Sequence, residues 1–142
     1  MSTDITTDKT LPILIVDDNV QYAQLLRRIL ENGFGFTNIT SLPDSHEAKE
    51  LIMKEPDRFK MLFIDFNFPT GYSGGQLLQE LSNAHLLDGK AAFLITSEPS
   101  TNNVEQASLA GALGVVVKPF NRADLELKIR KGLHYLDPTE TF

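Results

Sequence analysis

The chain has no cysteine, so it carries no disulfide framework and no thiolate chemistry. That absence fits a cytoplasmic protein. A basic surplus is missing as well. Lys and Arg total 13 against 19 Asp and Glu, and the formal net charge is -6, so the footprint of a nucleic-acid binder is lacking. No apolar run approaches the roughly 20 residues that span a bilayer. Met1 to Thr10 is polar and is no secretory leader. Histidine is scarce: His46, His85 and His134 are scattered over predicted helices, and none stands at a predicted strand end. They read as surface or packing residues, which argues against a metal hydrolase and against a histidine phosphodonor. What is present is ordinary for a globular chain of 142 residues, with 42% hydrophobic and 23% charged residues. One domain is expected.

Residues 1–10 and 137–142 read as tails, with Asp137-Pro138 ending the last helix. Between them lies one domain, residues 11–136, in which strand-like and helix-like segments alternate. Pro12 to Val16, Met61 to Asp65 and Ala91 to Thr96 are short apolar runs, which suits strands buried on both faces, and Gly114 to Val117 reads as the fifth strand. Thr37 to Thr40 reads as a weaker strand. Helical spacing predicts helices over Asn19–Glu31, Asp44–Glu55, Gly74–Ala84, Thr101–Ala110 and Asn121–Leu136. Asn32-Gly33, Pro56 and Gly111 serve as stops, and Ser100 and Asn121 as N-caps. Five β–α units imply an α/β fold with a parallel sheet covered on both sides. Ligands of such sheets sit beyond the carboxyl ends of the strands.

The chemistry-bearing residues fall at those ends. Asp17 and Asp18 end the first run, Asp65 the third, Thr96 the fourth and Lys118 the fifth. Brought together, the carboxylates repel one another, and a hard divalent cation relieves the repulsion. Oxygen ligands and a phosphate to hold favour Mg²⁺, with the carbonyl of Asn67 within reach. Asp65 opens onto a glycine-rich loop, Thr70 to Gly75, where a carboxylate can attack phosphorus to form an acyl phosphate. Lys118 can pair with Asp65 and then with a phosphate oxygen. Thr96 offers a hydroxyl donor. Each of these residues also has a plain structural reading: Asp17, Asp18 and Asp65 as caps, and Thr96 as core.

Ile-Val-Asp-Asp at 15–18, Asp65 with Pro69 four residues later, Thr96, Gly111-Ala112 and Lys-Pro-Phe at 118–120 together resemble the response-regulator receiver domain of two-component signalling (CheY-like). The resemblance spans about residues 11–136. It implies a doubly wound five-stranded parallel sheet in the flavodoxin-like order 2-1-3-4-5 with five helices. It also implies a protein that takes a phosphoryl group on Asp65 from a histidine kinase or histidine phosphotransfer protein. Asp18, Asp65 and the Asn67 carbonyl would bind Mg²⁺ directly and Asp17 through water, while Thr96 and Lys118 contact the phosphoryl oxygens. Such a chain catalyses its own phosphorylation and dephosphorylation without being a conventional enzyme. It signals by binding a downstream protein.

The chain departs from the family pattern in three places. Ser73 stands where glycine is common and Gly74 follows, so the loop after Asp65 is one residue longer. Val115 stands where an aromatic switch residue is usual, and Ser97 replaces a common alanine. Asn67 and Glu98 flank the expected phosphate position, a pair found in chemotaxis-type receivers that lose phosphate quickly, so a phosphorylated lifetime nearer minutes than hours is expected. With no segment for an output domain, a stand-alone receiver is expected; a fragment of a larger regulator is the alternative. The face of the fourth helix, fifth strand and fifth helix, through which many receivers pair, carries Glu105, Arg122 and Asp124, too ordinary a set to decide oligomeric state.

Competing readings explain less. A haloacid-dehalogenase-type phosphatase needs a second acid two residues after its nucleophile, where this chain has Asn67. A flavodoxin-like cofactor site would set Asp17 and Asp18 against a phosphate. A receiver-like docking module that works without phosphorylation would be expected to have lost part of the acidic site, and all five key positions are present.

Overall fold

The computed structural model describes Ile5, residues 7–69 and residues 71–139. The elements run β1 (Ile13–Val16), α1 (Val20–Arg28), β2 (Ile39–Leu42), α2 (Ser45–Lys54), β3 (Met61–Asp65), α3 (Gly74–Asn83), β4 (Ala91–Thr96), α4 (Thr101–Leu109), β5 (Gly114–Val117) and α5 (Arg122–Leu136). The strands form one parallel sheet in the order β2-β1-β3-β4-β5. This is the doubly wound, flavodoxin-like order expected from the sequence. The order reverses between β1 and β3, which places the crevice for a ligand at their carboxyl ends.

Side chains alternate faces along each strand, and two cores result. Ile13, Ile15, Met61, Phe63, Phe93, Ile95 and Val116 pack with Leu26 of α1 and Leu125, Ile129 and Leu133 of α5. Leu14, Val16, Leu62, Ile64, Ala92 and Leu94 pack with Ile52 of α2, Leu77 and Leu81 of α3 and Ala107 of α4. β1, β3 and β4 are buried along their whole length, which is why their sequences are continuous apolar runs rather than alternating ones.

Every α-helix starts on a polar cap: Asn19, Asp44, Ser73, Ser100 and Asn121 each accept from a backbone N–H in the first turn. The helix starts therefore follow local chemistry. Two boundaries differ from expectation by more than one residue. β2 begins at Ile39, two residues later than predicted, because its register is set by pairing with β1, Ile13 to Ile39. After α1 the chain adds one wider helical turn, Ile29–Gly33, and reverses at Gly35, whose φ of +83° suits glycine.

The described part of the expected amino-terminal tail is packed. Ile5 is 2% exposed within the α1–α5 core, and Lys9 donates to the carbonyls of Ile5 and Phe34. The remainder of that tail, Thr70 of the glycine-rich loop and residues 140–142 lie outside the described residues. Among the described residues, no helix is long and apolar enough to cross a membrane.

Candidate functional site

Strand parity decides which residues meet. Asp17 follows Ile15, Asp65 follows Phe63 and Lys118 follows Val116, so all three continue the layer that faces α1 and α5. Thr96 follows Leu94 and continues the opposite layer. The contacts agree. The Lys118 ammonium lies 3.0 Å from Asp17 Oδ2 and 3.1 Å from Asp65 Oδ1, with the three side chains 9%, 2% and 7% exposed. Lys118 is placed there by its backbone N–H, which donates to the Thr96 carbonyl at 2.8 Å. The Lys118–Pro119 peptide is cis.

The other oxygen of Asp17 is also engaged. Asp17 Oδ1 accepts from the Asn19 N–H at 2.9 Å, and Asn19 Oδ1 accepts from the Tyr22 N–H at 3.0 Å. The start of α1 is thus tied to the site. Asp18, the exposed member of the acidic pair, lines an open cleft of about 480 Å³ with Asp65, Asn67, Ser97, Lys118 and Tyr22. Asp17, Asp18 and Asp65 each bring a carboxylate oxygen to within 4.8 Å of the others. Two of these three carboxylates, Asp17 and Asp65, pair with the one ammonium. Such an oxygen-rich, undercompensated cluster suits a hard divalent cation.

The electrostatics show the same crowding. Burial, reinforced by Asp17, pushes the Asp65 carboxyl up to about 6 despite the opposing pull of Lys118. For Lys118, burial works against the charged form, but Asp17 and Asp65 outweigh it and hold the ammonium above its ordinary range.

Thr96 ends β4 beside the cluster but is fully buried. Its hydroxyl oxygen accepts from the Glu98 N–H at 3.0 Å, which leaves the hydroxyl proton available to another acceptor. Asn67 is exposed on the cleft wall and Glu98 is exposed beyond β4.

The loop after Asp65 has its own supports. The Gly74 N–H donates to the Phe66 carbonyl at 2.8 Å. A Cβ at Gly74 would lie 2.0 Å from the Asp65 carbonyl oxygen, so α3 can approach β3 only because this residue has no side chain. Ser73 and Gln76 form a capping box, a pattern visible in the sequence as Ser-x-x-Gln. From α2, the Ser45 hydroxyl donates to the Tyr72 carbonyl at 2.8 Å, and His46 stacks on the Tyr72 ring at 4.5 Å. The buried Tyr72 hydroxyl faces Glu80 without a well-formed hydrogen bond. Burial first, then Glu80, raises the Tyr72 pKa.

Sequence reasoning passed over Tyr22, whose ring centroid lies 4.4 Å from the Lys118 ammonium. No linear signal marks it, because the contact is created when α1 packs beside the β5–α5 turn.

A doubly wound parallel sheet with an acid and ammonium cluster at its switch point defines an α/β ligand-site domain, and likeness to known proteins narrows that class. The family model described as "Response regulator receiver domain" matches residues 13–130. The chemotaxis protein CheY of Pseudomonas aeruginosa is 33% identical over 121 residues, covering 85% of this chain and 94% of that protein. CheY-3 of Vibrio cholerae is 31% identical over 124 residues, covering 87% and 92%. Among solved structures, a CheY-like receiver domain from Methanospirillum hungatei superposes with a TM-score of 0.75 at 26% identity, covering 91% of this chain and 98% of that one. The CheY in a CheX-CheY-BeF3-Mg²⁺ complex from Borrelia burgdorferi has the same fold, with a TM-score of 0.75 at 23% identity and coverage of 84% and 86%. The chain belongs to the response regulator receiver domain family. It is a CheY-like receiver of two-component signalling.

Proposed function

We propose that this receiver accepts a phosphoryl group on Asp65 from the phosphohistidine of a histidine kinase or histidine phosphotransfer protein, and then signals by binding a downstream protein. The observation that carries the reading is the Lys118 ammonium held between buried Asp17 and Asp65 at 3.0 and 3.1 Å. An Asp65 oxygen attacks phosphorus, the P–N bond of the donor breaks, and the imidazole nitrogen leaves with the electron pair. Lys118 exchanges its Asp65 contact for a phosphoryl oxygen, and the Thr96 hydroxyl donates to another. Dephosphorylation reverses the charge change: water attacks phosphorus, the bond to the Asp65 oxygen breaks, and carboxylate and inorganic phosphate are left.

Asp18, Asp65 and the Asn67 carbonyl would hold Mg²⁺ directly. Asp17 fits a water-mediated place, because its oxygens already serve Asn19 and Lys118. Bound there, the ion neutralises charge on the oxygens of the transferring group. The Borrelia CheY complex, which includes Mg²⁺, is consistent with this assignment. Asn67 and Glu98 at the rim favour a phosphorylated lifetime of minutes.

Intact mass after incubation with a small acyl phosphate tests the reading, with Mg²⁺ or with chelator, on wild type and Asp65→Asn. A phosphoryl adduct is expected only in wild type with Mg²⁺, decaying within minutes after the donor is removed. No adduct under a rapid acid quench would discard the reading in favour of a docking module that works without phosphorylation.

A further inference from the structure

We propose that Tyr22 is a positioning residue for phosphoryl acceptance, its ring forming the uncharged wall of the cradle that holds the Lys118 ammonium. The inference rests on the function proposed above. The ammonium lies 4.4 Å from the ring centroid while also touching Asp17 and Asp65. An ammonium over an aromatic face is attracted by the ring quadrupole, and more strongly when both are sheltered from water. Lys118 is sheltered, its side chain being 9% exposed.

The ring is itself fixed. Its centroid lies 5.7 Å from that of Phe120, two residues beyond Lys118, so one strand end supplies both the cation and the ring that braces Tyr22. Its backbone N–H is held by Asn19 Oδ1, and the Asn19 N–H by Asp17 Oδ1. The circuit closes on itself, from Asp17 through Asn19, Tyr22 and Lys118 back to Asp17.

Charge explains why a ring suits this wall. The cluster already sets three carboxylates against one ammonium, and a fourth anion would deepen the repulsion. The ring holds the cation without adding formal charge. It also stays constant through the reaction. When the Asp65 carboxylate becomes an acyl phosphate, Lys118 must release one partner and take a phosphoryl oxygen. Asp17 and Tyr22 keep the ammonium from swinging into the cleft during that exchange.

The test follows phosphorylation of the full chain by acetyl phosphate at saturating Mg²⁺. Tyr22→Leu is expected to slow the reaction about three- to tenfold, and Tyr22→Phe to stay within about twofold of wild type. In a Lys118→Ala background, Tyr22→Leu should add less than about twofold, because the ring then has no cation to place. Mg²⁺ affinity by calorimetry should be the same in wild type and Tyr22→Leu. Independently of phosphate, the Lys118 ε-protons should be shifted upfield by the ring in wild type and Tyr22→Phe, and not in Tyr22→Leu. Tyr22→Met, which retains bulk against Phe120, serves if Tyr22→Leu folds poorly.

A Tyr22→Leu effect of equal size with and without Lys118, or no ring-current shift in wild type, overturns the assignment. A wild type that takes up no phosphoryl group overturns the function itself. A working wild type matched in rate by Tyr22→Leu overturns the role of Tyr22 alone.

Discussion

The sheet face under α1 and α5 is packed with Phe34, Phe36, Phe63, Phe93 and Phe120, while the face under α2, α3 and α4 is filled mainly by leucine, isoleucine and alanine. The covering helices differ in the same sense. α5 buries Leu125, Ile129, Gly132 and Leu133, whereas α4 buries Ala107 alone and leaves Leu109 84% exposed. Beside α4 a groove of about 430 Å³ runs along β5, lined by Val104, Ala107, Val115 and Lys128 among others. Asp17, Asp65 and Lys118 belong by parity to the aromatic-rich face under α1 and α5, and Thr96 and Val115 to the face under α2, α3 and α4. The charged groups that must keep their geometry therefore continue the core rich in aromatic rings. The element with the fewest buried anchors lies on the other side, where local opening costs least.

The contrast breaks most sharply in the cores. Phe93→Ala, which empties the tight face beneath α5, should cost about 3–5 kcal/mol. Ala107→Gly under α4 should cost only about 1 kcal/mol. Matched urea melts decide; comparable losses would remove the asymmetry.

Gly74→Ala is next. Its Cβ would sit 2.0 Å from the Asp65 carbonyl oxygen, so α3 or the end of β3 must move, at a cost of about 2–4 kcal/mol. Gly75→Ala meets side chains alone, the Phe66 ring at 3.1 Å and Ser73 Oγ at 3.7 Å, and should cost about 1 kcal/mol or less. Equal melting temperatures for the two variants would show that the close approach at Gly74 is dispensable.

Asp65→Asn sharpens the electrostatic side. With its pKa raised to about 6 in the folded protein, Asp65 binds its proton more tightly folded than unfolded. Its contribution is therefore most favourable below about pH 4, falls as pH rises to about 6 and is constant above that, where the ionised carboxylate is destabilising. The metal-free variant should lose this slope and be more stable than wild type at pH 7 by roughly 1 kcal/mol. A parallel pair of stability–pH curves would contradict the crowding at the site.

The smallest effect concerns motion. Backbone amides of α4 should exchange with deuterium faster than those of α5 in the metal-free protein. Uniform protection of both helices would erase the difference between the faces.

Much of this was legible in one dimension. β1, β3 and β4 were visible as apolar runs because a parallel sheet buries both faces of its central strands, and β5 as a run of valines although it is an edge strand with Val117 exposed. The helix starts at Asn19, Ser100 and Asn121 were visible because caps are local. The edge strand β2 was misplaced by two residues, since Thr37 to Leu42 is only half-buried and its register is dictated by β1. The five site positions were readable as polar endings of apolar runs. Their convergence at one sheet edge was readable too; which of them touch was not, since Lys118 pairs with Asp17 and Asp65 while Thr96 is buried in the opposite layer.

By itself, then, the sequence determined the alternating α/β order, the helix caps and the acidic, threonine and lysine endings, all of which depend on neighbours in the chain. Tertiary structure alone decided the rest. It seated Lys118 between Asp17 and Asp65, brought the Tyr22 ring against that ammonium and pressed α3 onto the Asp65 backbone at Gly74. Each of those contacts joins elements far apart in sequence, and its distance is set by how helices pack on the two faces of the sheet.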